Sequence, residues 1–517
     1  MKPDRQFPVL PTPQFKPSRN ISFVTIRFSS ELEHNLLRSS CVHDECNELI
    51  IVDNSANVHF DHLTQAIIHG VDKARHDLVA VVHEDVHLVD GWQQCLEQSL
   101  MQLEESDPDW GLVGAVGWDN QKQVKGHWSD PHQYGNTFAE NASPFAEVVR
   151  LDEQILIFRR NSGVVFDPDL PSIHNIGRDL SEQLRSRGRK TYAINAPTTH
   201  KMLDGNGTPI LSAGDSSKIV DRGSLTYQAD LACSDDYIAK KWPRWARLAH
   251  GAPPSASTMA EPEMRPPLVL LARGGSGSRL LSQLALDCGV FLGEDLSPSL
   301  DTREVIMPFY RALMEKHTCS ADWQAAQRFE RVKHGALAVQ AAAAPGADWG
   351  FKLPESLFLL LEIDAAFPSA RYVFLSRSSW STCARRTHMT ARVDNHVGRL
   401  ALKLAYDAAG RSRAHILTDS DPERMAYTTL HQRDLVHRFA ATLPSSRFLQ
   451  LSFEEVVTQP ETVLCQMAEW LGRPPVGRNI MDMVNPDRAR PAVAMFKDEE
   501  IDAMERILLR NSHPAPP

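Results

Sequence analysis

Two stretches of the chain carry residue types whose spacing could do chemistry. In RGGSGSRLL, Arg273 to Leu281, three glycines (Gly274, Gly275, Gly277) surround two serines (Ser276, Ser278) and lead into Arg279. Glycines let a backbone approach an anion closely and adopt dihedrals closed to other residues. The serines add hydroxyl donors, and Arg279 adds a cation. The apolar run Leu268–Ala272 before the loop reads as a strand. Leu280, Leu281 and Leu284 share the buried side of a following helix, whose N-terminal amides and dipole aim at the same point. That combination is a phosphate cradle, without the Gly-Lys-Ser/Thr ending of nucleotide-hydrolysing loops. The second stretch, VVHEDVHLVDGW, sets Glu84, Asp85 and His87 at the end of an apolar strand. Such a cluster can coordinate a divalent ion that neutralises a diphosphate. Upstream, LIIVDNS ends in Asp53 and Asn54, suited to reading a nucleobase. Downstream, Asp179 opens a helix and His200 ends a short strand.

The elements around these residues alternate. ISFVTIRF, NELIIVDNS and HDLVAVVHEDV are apolar, β-branched runs ended by turn residues, and WGLVGAVGW reads as another buried strand. ELEHNLLRSS and HLTQAIIHGVDKA between them have helical spacing of apolar positions. Strand–helix alternation predicts a mostly parallel, doubly wound sheet. The pattern loosens after about Lys201, and His250–Pro267, rich in Pro, Ala and Ser, reads as a linker. A second alternating run follows, through ARYVFLSRSSW and SRFLQLSFEE to the amphipathic QPETVLCQMAEWLG. The prediction is two doubly wound α/β domains, at 21–249 and 268–490. A flexible arm at 1–20 precedes them, 250–267 links them, and a weakly patterned tail at 491–517 follows.

Composition bounds the rest. A chain of 517 residues exceeds one core, and 42% hydrophobic with 23% charged residues is ordinary for a globular protein. No apolar run approaches the ~18 residues of a membrane span, which leaves peripheral membrane association as the only membrane contact expected. The polar, Pro-rich N-terminus lacks a signal-peptide core, so a cytoplasmic location is expected. Eight scattered cysteines without a C-x-x-C pair argue against a zinc ribbon or a disulfide framework. Residues 1–250 carry 25 Lys+Arg against 34 Asp+Glu, and 251–517 carry 30 against 31. Neither half has the basic excess of a nucleic-acid-binding surface.

Residues 266–485 resemble the sulfotransferases that use 3′-phosphoadenosine 5′-phosphosulfate (PAPS). The family's phosphosulfate loop is matched by Gly275-Ser276-Gly277-Ser278-Arg279-Leu280-Leu281 except at its basic position, now Gly275. Its Lys-x-Pro…Phe-Pro-x-Ala-Arg…Arg run is matched from Lys352 through Phe367, Pro368 and Arg371 to Arg377, and its closing segment by SFEEVVTQPETV…WLG. The resemblance implies that Ser276, Gly277, Ser278 and Arg279 bind the 5′-phosphosulfate, with Arg273 as the nearby replacement for the missing base. It implies that Arg377 holds the 3′-phosphate, with Arg385 where the family has a serine. The reaction would transfer a sulfuryl group to a hydroxyl or amine without a metal, Lys352 serving as donor-side cation. A general base must take the acceptor's proton, and His388 is a candidate.

Residues 20–205 resemble family-2-like glycosyltransferases of the GT-A fold, including members whose D-x-D is written His-x-Asp-Val. That resemblance implies a nucleotide-sugar donor and a Mn²⁺ or Mg²⁺ ion held by Asp85, His87 and His200. Asp53 would contact the base, with Asn54 beside it, and Asp179 would act as catalytic base or acceptor anchor. Together the two resemblances imply a bifunctional transferase acting on a carbohydrate or glycolipid acceptor. A sulfotransferase whose first domain only binds glycan is the alternative. A P-loop kinase is disfavoured by the missing Lys-Ser/Thr.

Overall fold

A computed structural model describes residues 17–129, 144–171, 174–200, 225–243, 265–318, 323–384, 387–489 and 496–510. The chain divides into two compact units, Met1–Val220 with Ser234–Pro253 and Asp221–Cys233 with Pro254–Pro517. The expected linker at 250–267 lies outside the described residues up to 264. The residues ahead of it also depart from the expected division. Ala229 and Cys233 join the apolar cluster of Phe309 and Leu313, which assigns Asp221–Cys233 to the second unit.

The first unit is built on β1 (Ile21–Arg27), β2 (Glu48–Asp53), β3 (Leu78–Val82), β4 (Val86–Leu88), β5 (Leu112–Gly114), β6 (Phe145–Val148), β7 (Ile155–Arg159), β8 (Thr191–Ile194) and β9 (Thr198–His200). Seven of these form one sheet in the order β2-β1-β3-β7-β5-β8-β6. β1 runs parallel to β2 and β3, whereas β7 runs antiparallel to both β3 and β5. Alternate side chains of β1 explain the two-faced core. Ile21 and Phe23 pack with Trp92 and Leu96 of helix Trp92–Ser106, and Val24 and Ile26 pack with Ala66 and Ile67 of helix Leu63–Val71. WGLVGAVGW, expected as one strand, divides at Ala115. Leu112–Gly114 joins the large sheet, and Val116–Trp118 pairs with Val124–Gly126 and Arg150–Leu151. β4 and β9 pair antiparallel in a separate small sheet, bringing His200 opposite Val86. The arm is anchored where it is described. Ser18 donates its amide to Glu97 at 3.0 Å, and Arg19 pairs with Glu104 at 2.7 Å.

The second unit carries a fully parallel sheet of β10 (Leu268–Leu271), β11 (Gly350–Lys352), β12 (Arg371–Ser376) and β13 (Phe448–Ser452), in the order β11-β10-β12-β13. Leu268 and Leu270 pack with helices Ser278–Asp287 and Pro460–Leu471 on one face. Val269 and Leu271 pack with helices Arg303–Thr318 and Trp323–Ala342 on the other. Both faces of a parallel sheet are thereby covered, as its connections require. The stretch read as a weakly patterned tail contains helix Asp498–Arg510. Its Met504 and Ile507 bury against Met425 and Ala426 of helix Asp421–Ala440, and Glu505 accepts the Trp380 indole N–H at 2.7 Å.

Candidate functional site

In the second unit the ligand-facing edge of the sheet is set by register. Leu270 of β10 lies beside Lys352 of β11, so Lys352 ends its strand next to the turn that follows β10. Gly275 and Gly277 of that turn have φ of +80° and +101°, in the left-handed region that favours glycine. Gly277 is the N-cap of helix Ser278–Asp287. A Cβ on Gly277 would collide with the Phe453 ring, and one on Gly274 with the His388 imidazole. The loop is therefore pressed between two rings, its amides opening at a helix N-terminus. Phe453 follows β13, and the Arg377 guanidinium lies 3.9 Å over its ring centroid. The closing strand–helix segment thus buttresses both the loop and the arginine at the end of β12.

Lys352 is completely buried. Its ammonium donates to the Ser299 carbonyl at 2.9 Å and to Ser278 Oγ at 3.3 Å, and pairs with the Asp301 carboxylate. Burial pulls its pKa down against the opposing pull of Asp301. Glu355, one turn beyond, is buried as well, and desolvation pushes its carboxyl up to about 7, with Asp301 adding and Lys352 opposing. The sequence reading did not single out Asp301 or Glu355. The signal for Glu355 was its place in KLPES, one residue past the proline.

Several expected residues take other positions. Arg273 does not fill the vacant basic position at Gly275. It is 6% exposed, turned inward to donate to Thr428 Oγ1 at 3.1 Å, and burial lowers its pKa to about 10. His388 faces the loop, yet its Nδ1 accepts the Thr390 amide at 3.2 Å, so the neutral ring carries its proton on Nε2. It is set up as a donor toward the loop rather than as the expected base. Ser276 is buried, and both its hydroxyl and its amide donate to the Arg273 carbonyl, at 2.6 and 3.1 Å, so it closes the turn that shapes the cradle. Arg279 is exposed on the first helical turn. Arg385 lies outside the described residues. The buried cations, the two positive-φ glycines and the ten-residue helix N-terminus together suit a polyanionic ligand. Behind Ser276, a cavity of about 40 Å³ is lined by residues that include Arg273, Arg377, Arg433 and Gln432.

In the first unit, Asp85 and His200 meet as expected, His200 Nε2 lying 3.1 Å from the Asp85 carboxylate. His87 does not join them. Its Nδ1 lies 3.3 Å from Ser39 Oγ and 3.4 Å from the Asn35 carbonyl. Strand alternation explains this, because Val86 pairs with His200 and His87 with Thr199. Among the described residues, no three His, Cys, Asp or Glu side chains converge tightly enough to hold a metal ion. The residues present therefore do not fit the expected ion, and no step is routed through one. Glu84 accepts the Phe28 amide (2.9 Å), the Ser29 amide (3.0 Å) and the Ser29 hydroxyl (2.7 Å), pinning the end of β1 to that of β3. Burial pushes its carboxyl up to about 8.

Asp53 is exposed and receives the Ser55 amide and hydroxyl at 2.9 and 2.6 Å. Asn54 is fully buried, and its carbonyl oxygen accepts the His59 and Phe60 amides, so it shapes the turn instead of reading a base. Asp179, expected as catalytic base, is 1% exposed, bound to Lys241 Nζ at 2.8 Å and to the Trp242 indole at 2.7 Å. It anchors the end of helix Leu225–Lys241. Beside Asp85 and His200 the sequence reading missed His83, Asp152, Glu153 and His174. His83 Nδ1 lies 4.0 Å from Asp85, and His174 Nδ1 lies 3.8 Å from Glu153. His83 stands two residues before Asp85 in the run VVHEDV, whereas Asp152–Glu153 and His174 come from other segments that only the fold could bring beside it.

Residues 293–476 match a family model described as the sulfotransferase family; the match begins beyond the Gly-rich loop and includes Lys352 and Arg377. No curated protein matches the chain. Among solved structures, the sulfotransferase domain from the curacin biosynthetic pathway is similar at 15% identity. That similarity covers 49% of this chain and 99% of that one, with a TM-score of 0.29. The sulfotransferase domain of the Synechococcus PCC 7002 olefin synthase is similar at 15% identity, over 50% and 100% of the chains, with a TM-score of 0.28. Sulfotransferase STF9 from Mycobacterium avium is similar at 12% identity, over 55% and 83%, with a TM-score of 0.32.

Proposed function

We propose that the second unit is a PAPS-dependent sulfotransferase that moves a sulfuryl group to a hydroxyl or amine. One observation carries this reading: the buried Lys352 ammonium, inside the family match, reaches Ser278 at the start of the loop helix. A sulfuryl donor leaves negative charge on its bridging phosphate oxygen. In this reading Lys352 and the loop amides of Gly277 and Ser278 stabilise that charge, and preorganised donors in a dry site do so most effectively. Arg377, steadied on Phe453, would hold a second phosphate. Asp301 keeps Lys352 charged and aimed, while Ser278 Oγ and the Ser299 carbonyl fix its direction. The test is binding of adenosine 3′,5′-bisphosphate against ATP, followed by release of that bisphosphate from PAPS. Stabilisation by ATP but not by the bisphosphate would overturn the reading.

For the first unit a nucleotide-sugar site rests on the resemblance of residues 20–205 to GT-A glycosyltransferases, with Asp85 and His200 in contact at 3.1 Å as the residues to test. Glycosyl transfer to a glycan or glycolipid acceptor is the corresponding activity. Hydrolysis of nucleotide-sugars across a donor panel tests it, and Asp85→Ala should abolish any turnover found. Silence across the panel, with no nucleotide bound, would leave the sulfotransferase alone.

A further inference from the structure

We infer that Glu355 governs donor binding through its proton: the second unit accepts the anionic nucleotide only while this buried carboxyl is neutral. The inference rests on the donor reading above. Glu355 is the second residue of the turn Pro354–Phe358, which follows Lys352 at the end of β11. It is 2% exposed, and Lys352 is completely buried. The ionisable groups acting on its carboxyl come from three elements. They are Asp301 from the segment before helix Arg303–Thr318, Tyr310 from that helix, and Lys352 from β11. Arg279, on the loop helix, acts on Lys352. Helix Asp421–Ala440 and β10 also pack on that turn, and bring Val436 and Leu271 to the core it shares.

With Glu355 protonated, Lys352 faces one carboxylate, that of Asp301. With Glu355 ionised, two carboxylates share that one buried ammonium. Lys352 also reaches Ser278 Oγ at 3.3 Å, so it stands one hydrogen bond from the loop where the donor's phosphosulfate would lie. An anion entering there would meet a net negative charge that the low-dielectric interior screens poorly. Arg279 is exposed, and water and salt screen its charge. Burial pushes the Glu355 carboxyl up to about 7, against the Tyr310 hydroxyl, which donates to the ionised form. An amide would fill the same space; the acid adds a proton that the donor must find in place.

The experiment is calorimetry of adenosine 3′,5′-bisphosphate on the full chain at pH 6 and pH 8, in buffers of differing ionisation enthalpy. At pH 8 the ligand's phosphates have lost their second protons (pKa about 6), so proton uptake reports the protein. The wild type should take up about one proton at pH 8, where only about one molecule in ten is still protonated at Glu355. Glu355→Gln should bind without that uptake and about tenfold more tightly than wild type at pH 8, with the two alike at pH 6. Tyr310→Phe should move the wild type's loss of affinity to higher pH, because the carboxylate loses a donor. That variant decides the question should Glu355→Gln fail to fold, which its thermal transition reveals. An affinity ratio of Glu355→Gln to wild type that is the same at both pH values would overturn the role of Glu355, as would a profile unmoved by Tyr310→Phe. No bisphosphate binding by the wild type at pH 6 would instead overturn the donor reading.

Discussion

Gly277→Ala tests whether the loop is held by its surroundings or by its own turn. The residue has a φ of +101°, and an added Cβ meets the Phe453 ring. A left-handed alanine costs ~1–2 kcal/mol, and overpacking against a ring adds ~1–3 kcal/mol, giving ~2–5 kcal/mol. Gly472 supplies the control. Its φ is +78°, but nothing lies within 4 Å of its added Cβ, so Gly472→Ala should show the dihedral cost alone. The assay is urea unfolding of the full chain, read at the transition that adenosine 3′,5′-bisphosphate shifts, since that transition reports the unit holding the loop. In a Phe453→Ala background the cost of Gly277→Ala should shrink toward the control value, a coupling of ~1–3 kcal/mol. Because Arg377 stacks on Phe453, Gly277→Ala should also weaken bisphosphate binding at least tenfold. A Gly277→Ala protein no less stable than Gly472→Ala, with unchanged binding, would refute the reasoning.

Lys352→Met should strand the Asp301 carboxylate, cost ~3–5 kcal/mol of stability, and abolish bisphosphate release from PAPS. Adding Asp301→Asn should restore stability in urea but not turnover. Glu355 has a folded pKa of about 7 against an ordinary 4.5, so the folded state holds a proton that the unfolded state has lost between those values. Stability should therefore fall as pH rises from about 4.5 to 7, and Glu355→Gln should flatten that fall by ~1–3 kcal/mol in denaturation at pH 8 while changing little at pH 4.5. Asp179→Ala should leave the Trp242 indole without its acceptor and Lys241 with Asp167 alone, and destabilise the first unit by ~1–3 kcal/mol, seen as faster limited proteolysis. An unchanged proteolytic rate would return Asp179 to the list of chemical residues.

The sequence by itself determined what local pattern can carry. The run Leu268–Leu271, the glycines after it and the leucines of Ser278–Asp287 specify strand, turn and helix within twenty residues, and all three form. Lys352 and Arg377 were legible because each ends an apolar strand, and a parallel sheet brings such ends to one edge. What the tertiary structure decided was direction and partnership. Arg273 turns inward because Met425 and Thr428 wait for it on a helix some 150 residues later. His87 faces away from His200 because the register sets it opposite Thr199, and Asp179 is claimed by Lys241 and Trp242 at the end of a helix that sequence spacing could not dock. Asp301 and the His174–Glu153 pair carry no spacing signal, since their neighbours are set by packing between distant elements. Charge and hydrogen bonding act over a few ångströms, and only the folded chain fixes which groups come that close.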